Sequence, residues 1–506
     1  MYPRTWIGTG RPAVIMGRTG EVVTYDRLEE GSNRFAQLLR RRGFARGDVV
    51  AVLMENNSRY HEITWAARRS GLYFTTVNSH LTADEAAYII EDSGAKCVIA
   101  SEALAGTIRE IGPDRLPKVG LRLMTGEPCD GWESYEEAVA AMPAEPIPDE
   151  SEGDLLQYSS GTTGRPKGIR RPLKNLPISL EADPAVGFLK AVGFQEGGVY
   201  LSPAPLYHTA PILWSMAVQR LGGTVVVMEE FDAEQALALI ERHRVTLAQM
   251  VPSMFVRISK LPERIRAAYD LSSLRTVVHA AAPCPIPVKR AMIELFGPIV
   301  TEYYSSSEGA GFTLITSEEW LERPGSVGRP LLGRPHIVGP DGEEVPPGTV
   351  GDLYFEDAVP FEYLNDPEKT AAARNERGWT TVGDMGRLDQ DGYLYIVDRR
   401  TDLILSGGVN VYPQEAENLL LSHPKVMDAA VIGIPDDDFG ERVHAVVEPL
   451  NWEDAGPELE RELIAHCRAS LAKYKCPRSI EFDPHLPRLD NGKLYKRVIR
   501  ERYRRG

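Results

Sequence analysis

The sequence predicts an α/β protein, on three observations. Short Val-rich runs alternate with helical periods through the first hundred residues. The alternation returns after residue 196, and from residue 335 it gives way to short strands punctuated by Gly, Pro and Asp. Strand–helix–strand alternation implies parallel pairing with helical crossovers. Dense turn residues between short strands imply antiparallel pairing.

Taken in order, "DVVAVLMEN" is short, Val-rich and bounded by Gly47 and Asn56, so it reads as a buried strand. "SRYHEITWAARRSG" has helical spacing and a terminal glycine, and "YFTTVNSH" is β-rich. "LTADEAAYIIEDSG" is helical, with Thr82 and Glu85 placed as a capping box, and "AKCVIAS" closes the unit as a strand. Later, "TVVVMEEF" precedes the helix "DAEQALALIERHRV". "LRTVVHAAAPCP" is a strand running into a turn, and "PVKRAMIELFG" is a helix ended by Gly297. "HIVGPDGEEVPPGTVGDLYFED" and "LDQDGYLYIVDRR" supply the antiparallel region. Beyond Arg400, two helical and two strand-like segments ("PQEAENLLLSHP", "VMDAAVIGIPD", "HAVVEPL", "GPELERELIAHCRASLA") form a smaller α+β unit. The boundary falls near 399–403, without a low-complexity linker, so any hinge there is short.

A chain of 506 residues exceeds what one core supports, so two or more domains are expected. Its 43% hydrophobic and 25% charged content is that of a soluble globular protein. The net charge of −15 argues against nucleic acid as a partner. It leaves an anionic small ligand open, since a local basic pocket outweighs the global sign at short range. Five scattered cysteines without a CxxC pair or Cys/His cluster suggest reduced thiols in a cytoplasmic protein. "MYPRTWIGTGRP" lacks a signal-peptide layout, and no apolar run reaches the ~18 residues of a membrane span. The expectation is a cytoplasmic protein without a transmembrane segment, with peripheral membrane contact left open.

Four stretches carry chemistry. In "YSSGTTGRPKGIR", the nine positions 159–167 hold four Ser/Thr hydroxyls, two glycines and Lys167. Backbone N–H groups beside glycine approach an anion closely, hydroxyls donate to phosphate oxygens, and Lys167 adds positive charge. The segment is not a Walker loop, because Pro166 stands where that motif needs Gly. "TEYYSSSEG" places an aromatic pair, three serines and Glu308 in what reads as one turn after the helix "IELFG": Tyr304 suits a purine face, and Glu308 suits Mg²⁺. In "GWTTVGDMGRLDQDGYLYIVDRRTDLI", a hairpin would bring Asp384 and Arg399 together, and a carboxylate accepts from both hydroxyls of a ribose. In "PRLDNGKLYKRVIR", Lys493 follows the tight turn Asn491-Gly492.

Together and in this order, these stretches resemble the adenylate-forming superfamily of acyl- and aryl-CoA synthetases, beetle luciferases and peptide-synthetase adenylation domains. "YSSGTTGRPKG" is similar to its phosphate loop, "YYSSSEG" to its YGxTE element and "TTVGDMG" to TGD. "DRRTDLILSGGVNVYPQEAE" is similar to GRxKDxIxxxGxNVxPxEIE, and "NGKLYKR" to the terminal SGKxxKR. The resemblance implies a large N-terminal adenylation domain, residues 1–400, of two α/β subdomains plus a small β-barrel-like region. It also implies a small mobile α+β C-terminal domain, residues 401–506. ATP, Mg²⁺ and coenzyme A are the implied cofactors and substrates.

Carried over residue by residue, Ser159, Ser160, Gly161, Thr162, Thr163, Gly164 and Lys167 would hold the β- and γ-phosphates. Ala280, Ala281 and Ala282, within "HAAAP", would line the adenine, and Tyr304 would stack on it. Ser307 would touch the α-phosphate, Glu308 would help hold Mg²⁺, and Asp384 and Arg399 would bind the ribose. Lys493 would bridge the substrate carboxylate and the α-phosphate. Asp402 occupies the hinge position, and Ser406, Gly407 and Gly408 would lie against the pantetheine arm. His208, in "PAPLYHTAPILW", would border the acyl pocket with Tyr303 and Ser305. Three departures stand out: Ser305 for the usual Gly, Val382 for the Thr of TGD, and Thr401 for the Lys before the hinge.

Amino-acid-activating relatives usually place an Asp in the His208 segment, and none stands between Pro203 and Arg220. Apolar neighbours there, and "QMVPSMFV", suggest a hydrophobic acid. The expected activity is an ATP-dependent acyl-CoA synthetase for a hydrophobic carboxylic acid, with a fatty acid as the first choice. The alternatives are an aryl-acid ligase of the coumarate or benzoate type, a steroid or bile-acid CoA ligase, a ligase loading a carrier protein, and a catalytically degenerate nucleotide-binding homologue.

Overall fold

The computed structural model describes residues 6–159, 165–179, 183–436, 438–488 and 494–503. Its backbone contacts divide the chain into two compact units. The first comprises Met1–Gln249, Ala267–Val277 and Pro360–Ala372; the second comprises Met250–Arg266, Val278–Val359 and Ala373–Gly506.

The first unit opens with the predicted alternation. Strands Val49–Leu53, Tyr73–Val77 and Cys97–Ser101 pair in parallel, with Val49–Leu53 in the middle. Leu121–Thr125 and Asp154–Leu155 extend the sheet on either side, again in parallel. All three central strands are buried at every residue, as continuous apolar runs covered on both faces require. The helix Ala83–Asp92 starts at Thr82 with both halves of the capping box formed. A second parallel set contains Pro12–Met16, Thr224–Val227 and Val199–Ser202. A small antiparallel sheet joins Gln157–Ser159, Lys167–Arg170 and Glu362–Tyr363.

This unit also buries ions. Arg68 and Arg220 share Glu152 and Asp183, with N···O distances of 2.5–3.1 Å and all four side chains at most 6% exposed. Each guanidinium meets two carboxylates, the arrangement that keeps a desolvated charge tolerable.

In the second unit, Val300–Ser305 pairs antiparallel with Phe312–Ile315, which pairs in turn with Arg329–Leu332. Strands Arg334–Val338, Gly351–Glu356, Asp384–Leu388 and Leu394–Arg399 form the expected antiparallel sheet. The segment beyond Arg400 is α+β. Val426–Asp436 and Gly440–Pro449 make a long hairpin, Ile404–Ser406 pairs antiparallel with Gly440–Pro449 at its tip, and Ser479–Phe482 lies parallel to Gly440–Pro449. Helices Pro413–Ser422 and Pro457–Ser470 contribute to this segment's own core, which includes Leu420, Val431, Val447, Leu459 and Leu463. Among the described residues, no helix is long and apolar enough to cross a membrane. The molecule is thus mixed α/β, with a large N-terminal part and a small α+β C-terminal part.

One local expectation changes. Thr301–Ser305 belongs to a strand, and only the residues after Ser305 turn. The β-branched and aromatic run "IVTEYY" suits a pleated strand better than a turn. Tyr303 and Tyr304 therefore face opposite sides of the sheet and cannot share one task.

Candidate active site

The strand Asp384–Leu388 returns through a hairpin as Leu394–Arg399, and Asp384 falls opposite Arg399 in register. Arg399 Nε lies 3.2 Å from Asp384 Oδ1. The other carboxylate oxygen accepts from the Tyr304 hydroxyl at 2.6 Å. Three residues named from two separate stretches thus form one cluster. Asp384 is buried, and its negative charge raises the Arg399 guanidinium above its ordinary value. Burial first, then Asp384, pushes the Tyr304 phenol well above its ordinary value, so it remains a donor. Glu308 is close enough to act on both Tyr304 and Arg399.

Beneath Tyr304 lies Phe355, ring centroids 6.2 Å apart and planes 18° from parallel. Phe355 is buried in an apolar cluster with Leu353, Ile337 and Leu394, against which Val382 also packs. Val382, where the family motif has Thr, thus has an apolar role here. Gly311 must lack a side chain, since a Cβ there would come within 2.2 Å of the Phe355 ring. Phe355 was not singled out from sequence, although the alternation of "GDLYFED" marks it as inward-facing.

On the opposite face of the strand, the buried Tyr303 stacks on Phe312 at 4.9 Å and 11°. The Ser305 hydroxyl donates to the Gly311 carbonyl at 2.9 Å, so the side chain that replaces glycine is tied to the neighbouring strand. Phe312 is a second residue the sequence reading passed over; "GFTLI" alone gave no partner for it.

Ala280, Ala281 and Ala282 follow the buried strand Thr276–His279. Ala281 has φ +77°, a left-handed backbone that costs a side-chain-bearing residue about 1–2 kcal/mol. In the first unit, Ser159 and Lys167 are register partners on antiparallel strands. The Lys167 ammonium lies 5.2 Å from the centre of the Tyr363 ring. Ser160, Gly161, Thr162, Thr163 and Gly164 lie outside the described residues, as does Lys493. His208 sits at the N-cap position of the helix Thr209–Arg220, edge-on to Tyr207 at 4.5 Å.

Near the expected hinge, Asp402 pairs with Arg500 at 2.5 Å, and Arg500 also donates to the Thr401 carbonyl at 3.1 Å. One turn earlier on the same helix, the buried Lys496 pairs with Glu417 at 2.8 Å. Asp398 is buried and accepts from the backbone N–H groups of Arg399 and Gln414. Burial pushes its carboxyl up to about 6, against the pull of Lys496. Gly407 and Gly408 form a two-residue hairpin turn with φ +59° and +78°, the primed geometry that glycine favours. Ser406 precedes them at the end of a strand, and the Gly407 N–H donates to the Phe439 carbonyl at 2.8 Å.

The half-buried Tyr304 and Arg399 thus meet on the buried Asp384, and the left-handed Ala281 of the small-residue strip belongs to the same unit. The chain matches the family model described as AMP-binding enzyme over residues 8–360, and that of the AMP-binding enzyme C-terminal domain over residues 415–493. It therefore belongs to the AMP-binding enzymes of the adenylate-forming superfamily, in the class of AMP-forming acid–thiol ligases.

Among curated relatives, a feruloyl-CoA synthase of an Amycolatopsis species is 35% identical over 491 residues, covering 96% of this chain and 94% of its own. A fatty acid–[acyl-carrier-protein] ligase, ScoC of Streptomyces coeruleorubidus, is 33% identical over 501 residues, covering 97% and 93%. The long-chain-fatty-acid–CoA ligase FadD13 of Mycobacterium tuberculosis is 32% identical, covering 95% and 93%. Among solved structures, ATP-bound MatB from Rhodopseudomonas palustris superposes with a TM-score of 0.83 at 27% identity, covering 98% of this chain and 96% of that one.

Proposed function

We propose that this enzyme is an ATP-dependent acyl-CoA synthetase for a hydrophobic carboxylic acid, with a fatty acid as the first choice. The observation that carries the nucleotide half is the Tyr304–Asp384–Arg399 cluster. Asp384 would accept from the ribose hydroxyls, with Arg399 holding the carboxylate and the Tyr304 ring offered to the base. Ser159, Lys167 and the loop between them would take the β- and γ-phosphates, and Ser307 the α-phosphate.

The chemistry is a problem of like charges. A carboxylate is a weak nucleophile, and ATP repels it. Lys167 and Lys493 would neutralise the anions around the phosphorus under attack. In-line attack on the α-phosphorus forms acyl-AMP and releases pyrophosphate. The thiolate of CoA then attacks the acyl carbon, and AMP leaves. Among the described residues, no three His, Cys, Asp or Glu side chains gather to hold a metal ion. Glu308, a single carboxylate acting on the same cluster, fits a Mg²⁺ held mainly by the phosphates, which would supply charge neutralisation. The segment 401–506 would act as a mobile lid on 1–400, turning at Asp402 between the half-reactions and bringing Ser406, Gly407 and Gly408 to the pantetheine arm.

The acid would lie against His208, Tyr303 and Ser305. Buried Tyr303, stacked on Phe312, offers an apolar wall without a charge, which supports an uncharged hydrophobic acyl group. The same parallel aromatic pair favours a planar aryl acid as the second reading, in keeping with the name of the feruloyl relative. The test is pyrophosphate release with ATP across fatty, cinnamic, benzoic and steroidal acids, followed by thioester formation with CoA and with a phosphopantetheinyl carrier protein. Acid-dependent pyrophosphate release with CoA thioester formation is the expected result. ADP release, or thioester formation on the carrier protein alone, would overturn it.

A further inference from the structure

Behind the strip of small residues lies a set of ionisable side chains that the nucleotide reading leaves without a task. Lys289, on the helix Ile286–Phe296, and Glu302, on the strand Val300–Ser305, are both buried, and the ammonium donates to Glu302 Oε2 at 2.5 Å. The ammonium also lies 4.7 Å from the centre of the Trp320 ring. His279, fully buried, ends the strand Thr276–His279 and reaches the same carboxylate oxygen with Nε2 at 3.6 Å. The other side of the imidazole packs on Phe255 at 5.1 Å. Neither ring nitrogen has a hydrogen-bond partner among the described residues. Burial, helped by Lys289, keeps the ring neutral.

Stability does not call for this cluster. A buried ion pair contributes no more than well-packed apolar residues of the same volume, and losing one partner is costly. Its placement has a use, however. His279 immediately precedes Ala280, and Glu302 stands two residues before Tyr304 on the same strand and the same face. Lys289 comes from the helix that follows the strip. The strip itself holds Ala281 in the left-handed region, a conformation that persists only where its surroundings over-determine it.

We propose that Lys289, Glu302 and His279 are positioning residues for the nucleotide base. The Lys289–Glu302 pair ties the strand of Tyr304 to the helix beyond the strip, and His279 seats the first residue of the strip on that pair. Together they fix the spacing between Ala280–Ala282 and the Tyr304 ring. This rests on the nucleotide reading above. The 3.6 Å gap at His279 needs a movement of only about half an ångström to become a hydrogen bond, the kind of tightening a bound ligand brings.

The test measures binding of AMP and GMP by calorimetry to the full-length enzyme, alongside KM for ATP and for the acid. The double variant Lys289→Met/Glu302→Leu removes both charges at similar volume. It should fold, bind AMP about tenfold more weakly and lose preference for AMP over GMP, the effect of one misplaced hydrogen bond. KM for the acid should stay within about twofold. Glu302→Gln, which keeps an acceptor for Lys289, should retain most of the affinity. AMP affinity within about twofold of the wild type in the folded double variant overturns the proposal, as does an equal loss for acid and nucleotide. Should the double variant fail to fold, His279→Ala decides the matter by the same readouts, because it leaves the ion pair intact. Wild-type enzyme that binds AMP but releases no pyrophosphate would sink the adenylation reading alone, since base positioning is judged on AMP and GMP binding.

Discussion

Replacing Tyr304 with Phe isolates one atom of the proposed nucleotide grip. The ring survives for stacking, and the hydroxyl that donates to Asp384 Oδ2 at 2.6 Å is lost. A short hydrogen bond to a charged acceptor contributes about 1.5–3 kcal/mol. Asp384 would keep Arg399 as a partner but lose the contact that fixes its second oxygen. Were all of that energy expressed in nucleotide affinity, KM for ATP would rise by about 10- to 100-fold, at 1.4 kcal/mol per factor of ten. Because the contact serves substrate and transition state alike, kcat should change little. The phenol stays protonated throughout, so the ratio of wild type to variant should be flat from about pH 6 to 9. The assay is initial-rate pyrophosphate release with ATP varied at saturating acid, and then the reverse. A KM for ATP that stays put, or a rise confined to the acid, would refute the assignment of this cluster to the nucleotide.

Three further outcomes are expected. Lys493→Ala should slow acyl-AMP formation by at least ~10²–10³, by analogy with a lost oxyanion donor, while supplied acyl-AMP and CoA still give thioester; equal failure of both half-reactions in a folded variant would count against the domain rotation. Arg500→Ala removes the partner of Asp402 and should alter the two half-reaction rates unequally, which separate assays of acyl-AMP formation and its thiolysis will reveal; equal changes would deny the pair a role at the hinge. Asp398 gains affinity for a proton on folding, so its folded-state pKa of about 6 lies above its unfolded value. The folded state then binds more protons between about pH 4 and 6, stability falls as pH rises through that window, and the deficit is complete above it. Asp398→Asn should therefore raise stability at pH 7.5 by on the order of 1–3 kcal/mol and flatten that slope, as urea denaturation at several pH values will show.

Much of this molecule was written in short stretches of its sequence. "DVVAVLMEN", "YFTTVNSH" and "AKCVIAS" became buried parallel strands, and Thr82 with Glu85 formed the capping box that four residues can specify on their own. Asp384 and Arg399 met because a hairpin fixes register across a short turn. Such features depend on backbone sterics, side-chain period and nearby hydrogen bonds, all of which act within a few residues. Tertiary structure alone decided that Tyr304 would donate to a carboxylate 80 positions away, that Phe355 would lie beneath it, and that Tyr303 would turn the other way onto Phe312. It also decided that Lys289, Glu302 and His279 would be sealed from water together. Burial, ring stacking and the strength of a charge in a low-dielectric interior belong to neighbours in space. Those neighbours come from distant parts of the chain, and no local pattern names them.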